Sequence, residues 1–227
     1  MATLFIVATP IGNLDDFSTR AVKTLSAVDF IACEDTRTSS VLLQKYQIQK
    51  PTFSFHQHNE HAKVNKVLEI LGNGHDIALI SDAGMPGISD PGFLAVRAAH
   101  QNGHKVTVIP GASAVITALV ASGLPSDRFV FEGFLPPKKG RKTRIESLAD
   151  EERTIVLYES PYRIQKLIKQ LIPVFGEDRM AALTRELTKK FEEVIRGTLS
   201  EINDQIADNK KIKGEITLVI AGKGYSE

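Results

Sequence analysis

The first half of the chain alternates two kinds of segment, and that alternation limits the folds open to it. Short apolar, β-branched runs lie at 3–9, 28–34, 51–55, 76–81 and 105–110. Between them the apolar spacing changes to that of a helix. One helical pattern starts at Ser18, in N-cap position, and runs through Ala21, Val22 and Leu25. A second, HAKVNKVLEIL, puts Val64, Val67, Leu68 and Leu71 on one face and stops at Gly72-Asn73-Gly74. Two more span 92–103 and 112–123. Strands joined by helices imply right-handed βαβ crossovers and a mostly parallel sheet.

After Gly123-Leu124-Pro125 the pattern changes. Strand-like runs follow at 128–136, 153–160, 179–187, 191–198 and 214–222, several of them alternating. Helices are expected near 140–150 and 162–172, and another from Thr198, where T-L-S-E has capping-box spacing with Glu201. The expected fold is therefore α/β, with two α/β domains, 1–122 and 127–227, built on mixed, mostly parallel sheets.

Composition narrows the class. At 227 residues and 42% hydrophobic, the chain can bury a substantial core. A net charge of +1 exerts no global pull on nucleic acid, so any such binding must use a local patch. One cysteine, Cys33, excludes a disulfide framework and fits a reducing cytoplasm. The apolar start lacks a basic flank and breaks at Pro10, which reads as a strand and not a signal peptide. No stretch approaches the roughly 20 apolar residues of a membrane span.

Loops with unusual chemistry follow the expected strands, at 10–13, 34–37, 81–92, 110–113 and 159–163. In open α/β sheets, ligands sit beyond the carboxyl ends of strands. The loop SDAGMPGISDPG (81–92) is rich in glycine yet carries Asp82 and Asp90 and no Lys or Arg. It fits neither a phosphate loop nor a G-x-G-x-x-G turn. Two readings stay open: a wall for a ligand with cationic or hydroxyl groups, or a turn whose aspartates cap helices. Pro110-Gly111-Ala112-Ser113-Ala114 enters a helix of small residues, which either admits adenine or ribose or packs tightly on the sheet. Asn13 and Asp16 lie in a polar turn where capping explains them equally well. Asp35 beside Arg37 is an acid next to a fixed cation, or a local ion pair worth little if exposed. His56, His58 and His61 lack a carboxylate or Cys at ligand spacing and read as a polar loop, so no metal site is expected. Lys138-Lys139-Gly140-Arg141-Lys142-Thr143-Arg144 is the densest basic run and suits a phosphate backbone, unless it is only a solvated face.

Taken in order, VATPIGNLDD, ACEDTR, SFHQHNE, SDAGMPGISDPG, VIPGASA, LYESPYR, RELTKKFEE and GEITLVI resemble the tetrapyrrole methylase superfamily. Within it they resemble the members that methylate small-subunit ribosomal RNA. The resemblance implies S-adenosylmethionine in a cleft between two α/β domains, a homodimer, no membrane attachment, and 2′-O-methylation of a cytidine ribose in the decoding region. It implies cofactor contacts from Pro10, Asp82, Ala83, Gly84, Ile88, Ala112, Ser113 and Ala114, closed by Tyr158, Ile216 and Thr217. A ribose hydroxyl is a poor nucleophile, so a base or cation should assist it. Asp35, Glu159 and Lys189 are candidates for that role. Asn13, Asp16, Arg37, Lys138, Lys139, Arg141 and Arg163 are candidates for RNA or substrate contact. Competing readings are a relative acting on a corrinoid precursor or a translation-factor side chain, a non-catalytic adenosine-ligand-binding module, and an Asp-based metal-dependent hydrolase.

Overall fold

A computed structural model describes residues 2–207 and 212–226. The chain divides into two compact units, Met1–Ser113 and Ala114–Glu227.

The first unit follows the expected alternation. In chain order it contains β1 (Thr3–Val7), α1 (Thr19–Ala27), β2 (Phe30–Cys33), α2 (Thr36–Lys45), β3 (Thr52–Ser54), α3 (Glu60–Gly72), β4 (Ile77–Ile80), α4 (Phe93–Gln101) and β5 (Lys105–Ile109). The strands pair in the order β3-β2-β4-β1-β5, all parallel. Every residue of β4 is buried, as a central parallel strand covered on both faces requires. Successive side chains serve opposite cores. Leu4, Ile6, Ile77 and Leu79 pack with α3 and α4 residues such as Val67, Leu71, Ala95 and Ala99. Val7, Ala78 and Ile80 pack with Ala21, Leu25, Leu42 and Leu43 of α1 and α2.

Helix α2 spans a stretch to which the sequence pattern assigns no element beyond the loop at 34–37. Its first half, Thr-Arg-Thr-Ser-Ser, consists largely of residues that favour caps and turns, and only Leu42 and Leu43 give it an apolar face. Asp35 starts it by accepting a hydrogen bond from the Arg37 N–H at 2.8 Å.

The second unit contains α5 (Ala114–Ser122), β6 (Phe129–Phe134), α6 (Arg141–Leu148), β7 (Thr154–Glu159), α7 (Ile164–Phe175), β8 (Met180–Arg185), β9 (Glu193–Thr198), α8 (Leu199–Ala207) and β10 (Ile216–Ile220). Its sheet order is β6-β7-β10-β8-β9; β6 and β7 are parallel and the other pairs antiparallel. One face packs Ile155, Leu157, Leu183 and Leu218 against α7 and α8. Helix α5 packs against β8, β9 and β10. The sequence pattern assigns that segment to the first half; in the structure it groups with the second sheet through buried Val115, Ala118 and Leu119.

Candidate active site

In a parallel sheet every strand ends on the same rim. In the first unit that rim gathers the segments after Val7, Cys33, Ser54, Ile80 and Ile109. Two of these exits are tied together by backbone. The Thr9 N–H donates to the Gly84 carbonyl at 2.8 Å, and the Gly84 N–H donates back to the Thr9 carbonyl at 3.1 Å. The Thr9 hydroxyl adds a bond to the Ser81 carbonyl at 3.1 Å. Gly84 holds φ at +81°, where a side chain would be strained. Gly111 matters for a different reason: a Cβ there would lie 2.9 Å from the Ala8 Cβ, so the β1 and β5 exits approach each other only without it.

Beside this cradle sit Glu34, Asp35, Asp82 and Asp90. The Asp35 N–H donates to Asp82 Oδ1 at 3.1 Å, and the Asp82 N–H to Glu34 Oε2 at 3.3 Å. Burial raises the Glu34 and Asp82 carboxyls, with neighbouring carboxylates adding to the effect. Asp90 is pushed up to about 7, first by burial and then by the Glu34 carboxylate, against the opposing Ser81 hydroxyl. Asp35 is held down at about 2 by the Arg37 guanidinium and N–H. Cys33 is raised to about 11 by burial, so it is no ready nucleophile. The loop is braced from α3: Glu60 Oε1 accepts from the Gly92 and Leu94 N–H groups at 3.0 and 3.1 Å. Glu60 thus caps α4, a job the sequence left open to Asp82 or Asp90.

The second unit has its own charged centre. The Glu159 side chain is fully buried, and its oxygens accept from Arg141 Nη2 at 3.1 Å, Arg163 Nη2 at 3.2 Å and the Ser160 N–H at 2.9 Å. Arg141, 6% exposed, also donates to Gln170 Oε1 at 2.9 Å and to the Leu135 and Pro136 carbonyls. Arg163 reaches the Leu135 carbonyl at 3.2 Å. Two guanidinium groups around one carboxylate therefore pin the turn after β6. Farther along, Lys189 Nζ bonds Glu186 Oε1 at 3.0 Å and Glu215 Oε2 at 2.9 Å. Burial works against its charge, but the two carboxylates outweigh burial and raise its pKa.

These placements bear on each expected site residue. Asp82, Ala83, Gly84 and Ala112 lie on the first-unit rim with buried Pro10; a Cβ on Gly84 would lie 3.8 Å from the Ala112 carbonyl oxygen. Ser113 ends that unit and Ala114 opens α5. Ile88 is 44% exposed in the same loop. Asn13 caps a short 3-10 turn through the Asp15 N–H, and Asp16 is exposed on that turn. Arg37 turns to Asp35 with its side chain 90% exposed. Tyr158 and Thr217 are paired residues on β7 and β10, and Ile216 precedes Thr217. Of the three residues expected to assist the nucleophile, Asp35 is too acidic to hold a proton near neutrality, Glu159 is enclosed by cations, and Lys189 is held protonated. Of the basic run, Lys138 and Lys139 are exposed and form no ion pair with any described residue. Lys142 reaches Glu146 at 3.7 Å, and Arg144 forms a two-pronged pair with Glu132 at 2.6 and 2.7 Å. Arg141 is withdrawn from the RNA-facing surface expected for it by its bond to Glu159.

Glu34 and Asp90 are not among the site residues that the sequence predicts. The available signal was positional: Glu34 directly follows a strand, and Asp90 shares the loop of Asp82. His56 stacks edge-on near His58 at 6.0 Å, with Asn59 Nδ2 3.0 Å from its Nε2. Among the described residues, no group of three His, Cys, Asp or Glu is placed to hold a metal ion. A rim of small residues, backbone polar groups and desolvated carboxyls suits a ligand that carries positive charge and hydroxyls.

Comparisons with known proteins agree with this architecture. Residues 3–203 match the family described as Tetrapyrrole (Corrin/Porphyrin) Methylases. The chain is 49% identical to the "Ribosomal RNA small subunit methyltransferase I" of Haemophilus influenzae over 99% of its own length and 80% of that protein. It is 45% identical to the protein of the same name from Thermotoga maritima, over 98% of this chain and all of that one. Among solved structures, uroporphyrin-III-C-methyltransferase from Thermus thermophilus superposes with a TM-score of 0.69 at 17% identity, covering 97% and 94% of the two chains. Diphthine synthase superposes with a TM-score of 0.73 at 14% identity, covering 97% and 90%. The match across residues 3–203 and the near-full-length identity together show that the chain belongs to the tetrapyrrole methylase family.

Proposed function

We propose that this protein transfers a methyl group from S-adenosylmethionine to small-subunit ribosomal RNA, at the ribose 2′-hydroxyl of a cytidine in the decoding region. The observation that carries the reading is 49% identity over 99% of the chain to a protein named for that RNA substrate class. The ribose position and the cytidine rest on the motif resemblance. S-adenosylmethionine supplies an electrophilic methyl on a sulfonium. The residues that would hold it are Thr9, Pro10, Asp82 to Gly84, Ala112 and Ser113. Raised carboxyls beside the cradle and a loop, 81–92, that carries no Lys or Arg support that assignment. Methyl transfer depends chiefly on aligning nucleophile, carbon and sulfur, so a cradle braced by the Thr9–Gly84 pairing fits the task. Lys138 and Lys139, exposed and without an ion pair among the described residues, are suited to phosphate contact.

The decisive experiment incubates the protein with labelled S-adenosylmethionine and small ribosomal subunits from cells lacking it, then maps the modified ribose. Label at one cytidine 2′-oxygen is expected; label on a tetrapyrrole or a protein side chain instead would sink the reading. A homodimer is part of the same proposal. Exposed Ile116 and Val120 on α5 and Val194 on β9, helix and strand being in contact, leave an apolar face for a second copy. Val120→Lys should shift sedimentation from dimer to monomer.

A further inference from the structure

The last residue of β6 is an aromatic group with no place in the site described above. Phe134 is 57% exposed although it sits in a strand. A register shift between Phe131 and Gly133 explains its direction. Phe131 pairs with Val156, and Phe134 with Tyr158, two positions apart on β7. In a regular strand, residues three apart point to opposite faces. The extra residue at the bulge puts Phe131 and Phe134 on one face, around Tyr158. The ring centroids lie 5.1 Å apart for Phe131–Tyr158 and 5.5 Å for Phe134–Tyr158. Phe134 is thus braced from one side and open on the other.

Phe134 also lines an open cavity of about 670 Å³ together with Leu135, Pro136, Gly140, Thr143 and Arg144. The cavity's chemistry is divided. Phe134, Leu135 and Pro136 give it an apolar wall; Arg144, locked in plane by Glu132, gives it a polar edge. Lys138 and Lys139 stand on the stretch that joins the lining residues Pro136 and Gly140, and Lys142 adjoins Thr143. Leu135 and Pro136 are held in turn by the buried guanidinium of Arg141. An exposed ring beside Lys138 and Lys139, which meet no acidic partner among the described residues, is how proteins bind single-stranded nucleic acid: the ring stacks a base and the cations meet the backbone.

We infer that this cavity receives an unstacked base of single-stranded RNA on the Phe134 ring, with the flanking phosphates on Lys138 and Lys139. The inference deepens the proposed function and rests on RNA being the substrate class. Phe134 is a binding platform and has no part in the transfer step.

The test measures affinity of the full-length protein for an unstructured single-stranded RNA dodecamer containing one 2-aminopurine. Phe134→Ala should weaken binding about tenfold and abolish the fluorescence quenching of the stacked base. It should leave the salt dependence of binding as it was, since no phosphate contact is lost. Phe134→Trp should restore both signals. Phe134→Leu keeps an apolar side chain, guards against a folding defect, and should fail like Ala. Three results would overturn the inference. One is unchanged RNA affinity in both the Ala and Leu variants. Another is a loss of S-adenosylmethionine affinity instead, which would give the ring to the cofactor's adenine. The last is a change of oligomeric state with RNA affinity intact, which would give the surface to a second copy. Phe134-dependent RNA binding without methyl transfer would refute the proposed function and leave the platform standing.

Discussion

Asp90 is the residue through which solution pH should act most visibly. Burial and the Glu34 carboxylate lift it from 3.8 to about 7. The folded state therefore holds this proton more tightly than the unfolded chain does. Stability from this group is greatest at low pH and falls as pH rises from the ordinary carboxyl range through about 7. Asp90→Asn removes the ionisation. Allowing for the screening that a half-exposed group enjoys, the variant should gain roughly 2–4 °C in Tm over the parent between about pH 5 and about pH 8. Thermal melts at several pH values check this, and parallel curves for the two proteins would refute it. At Gly111, alanine would place its Cβ 2.9 Å from Ala8. That overpacking should cost roughly 1–3 kcal/mol in denaturant unfolding.

At the scale of elements, the Arg141–Glu159–Arg163 cluster ties the turn after β6 to α6, β7 and α7. Glu159→Gln leaves two guanidiniums without their carboxylate, one of them buried. Urea unfolding should show a loss of roughly 3–5 kcal/mol, with S-adenosylmethionine affinity changed far less than stability. If Glu159 were instead the catalytic base, turnover would vanish at unchanged stability. The elements themselves were largely legible in the sequence, because apolar periodicity and caps are local. Ser18 caps α1 through the Ala21 N–H at 3.1 Å. The Thr198–Glu201 box closes in both directions, at 2.8 and 3.2 Å. The rim of the first unit was legible too, since strand ends mark it. Helix α2 was not, because polar residues fill its first half. Nor was the fate of Arg141, because nothing in a run of cations tells which one will turn inward to Glu159. The pairing of Asp82 with Asp35, 47 positions away, depends on a strand order that neither segment encodes.

At the scale of the molecule, a net charge of +1 means that the proposed RNA affinity would come from a few cations and not from a general field. With Arg141 committed inward and Arg144 paired to Glu132, Lys138 and Lys139 would carry a large share of it. Replacing both by Ala should flatten the slope of log affinity against log salt by about 1 to 1.5 for single-stranded RNA. Titration at three salt concentrations would show it; an unchanged slope would place the phosphate contacts elsewhere. Among the described residues, no helix is long and apolar enough to cross a membrane.

The position of β10 also sets an order of assembly during synthesis. The first sheet has all its strands once Ile109 has been made. In the second sheet the central strand is the last described one in the chain. Until residues 216–220 leave the ribosome, β6 pairs only with β7, and β8 only with β9. The facing edges of β7 and β8 stay open, and open edges invite wrong partners. A nascent chain stalled at about residue 212 should therefore be protease-resistant in its first half and cleaved throughout its second.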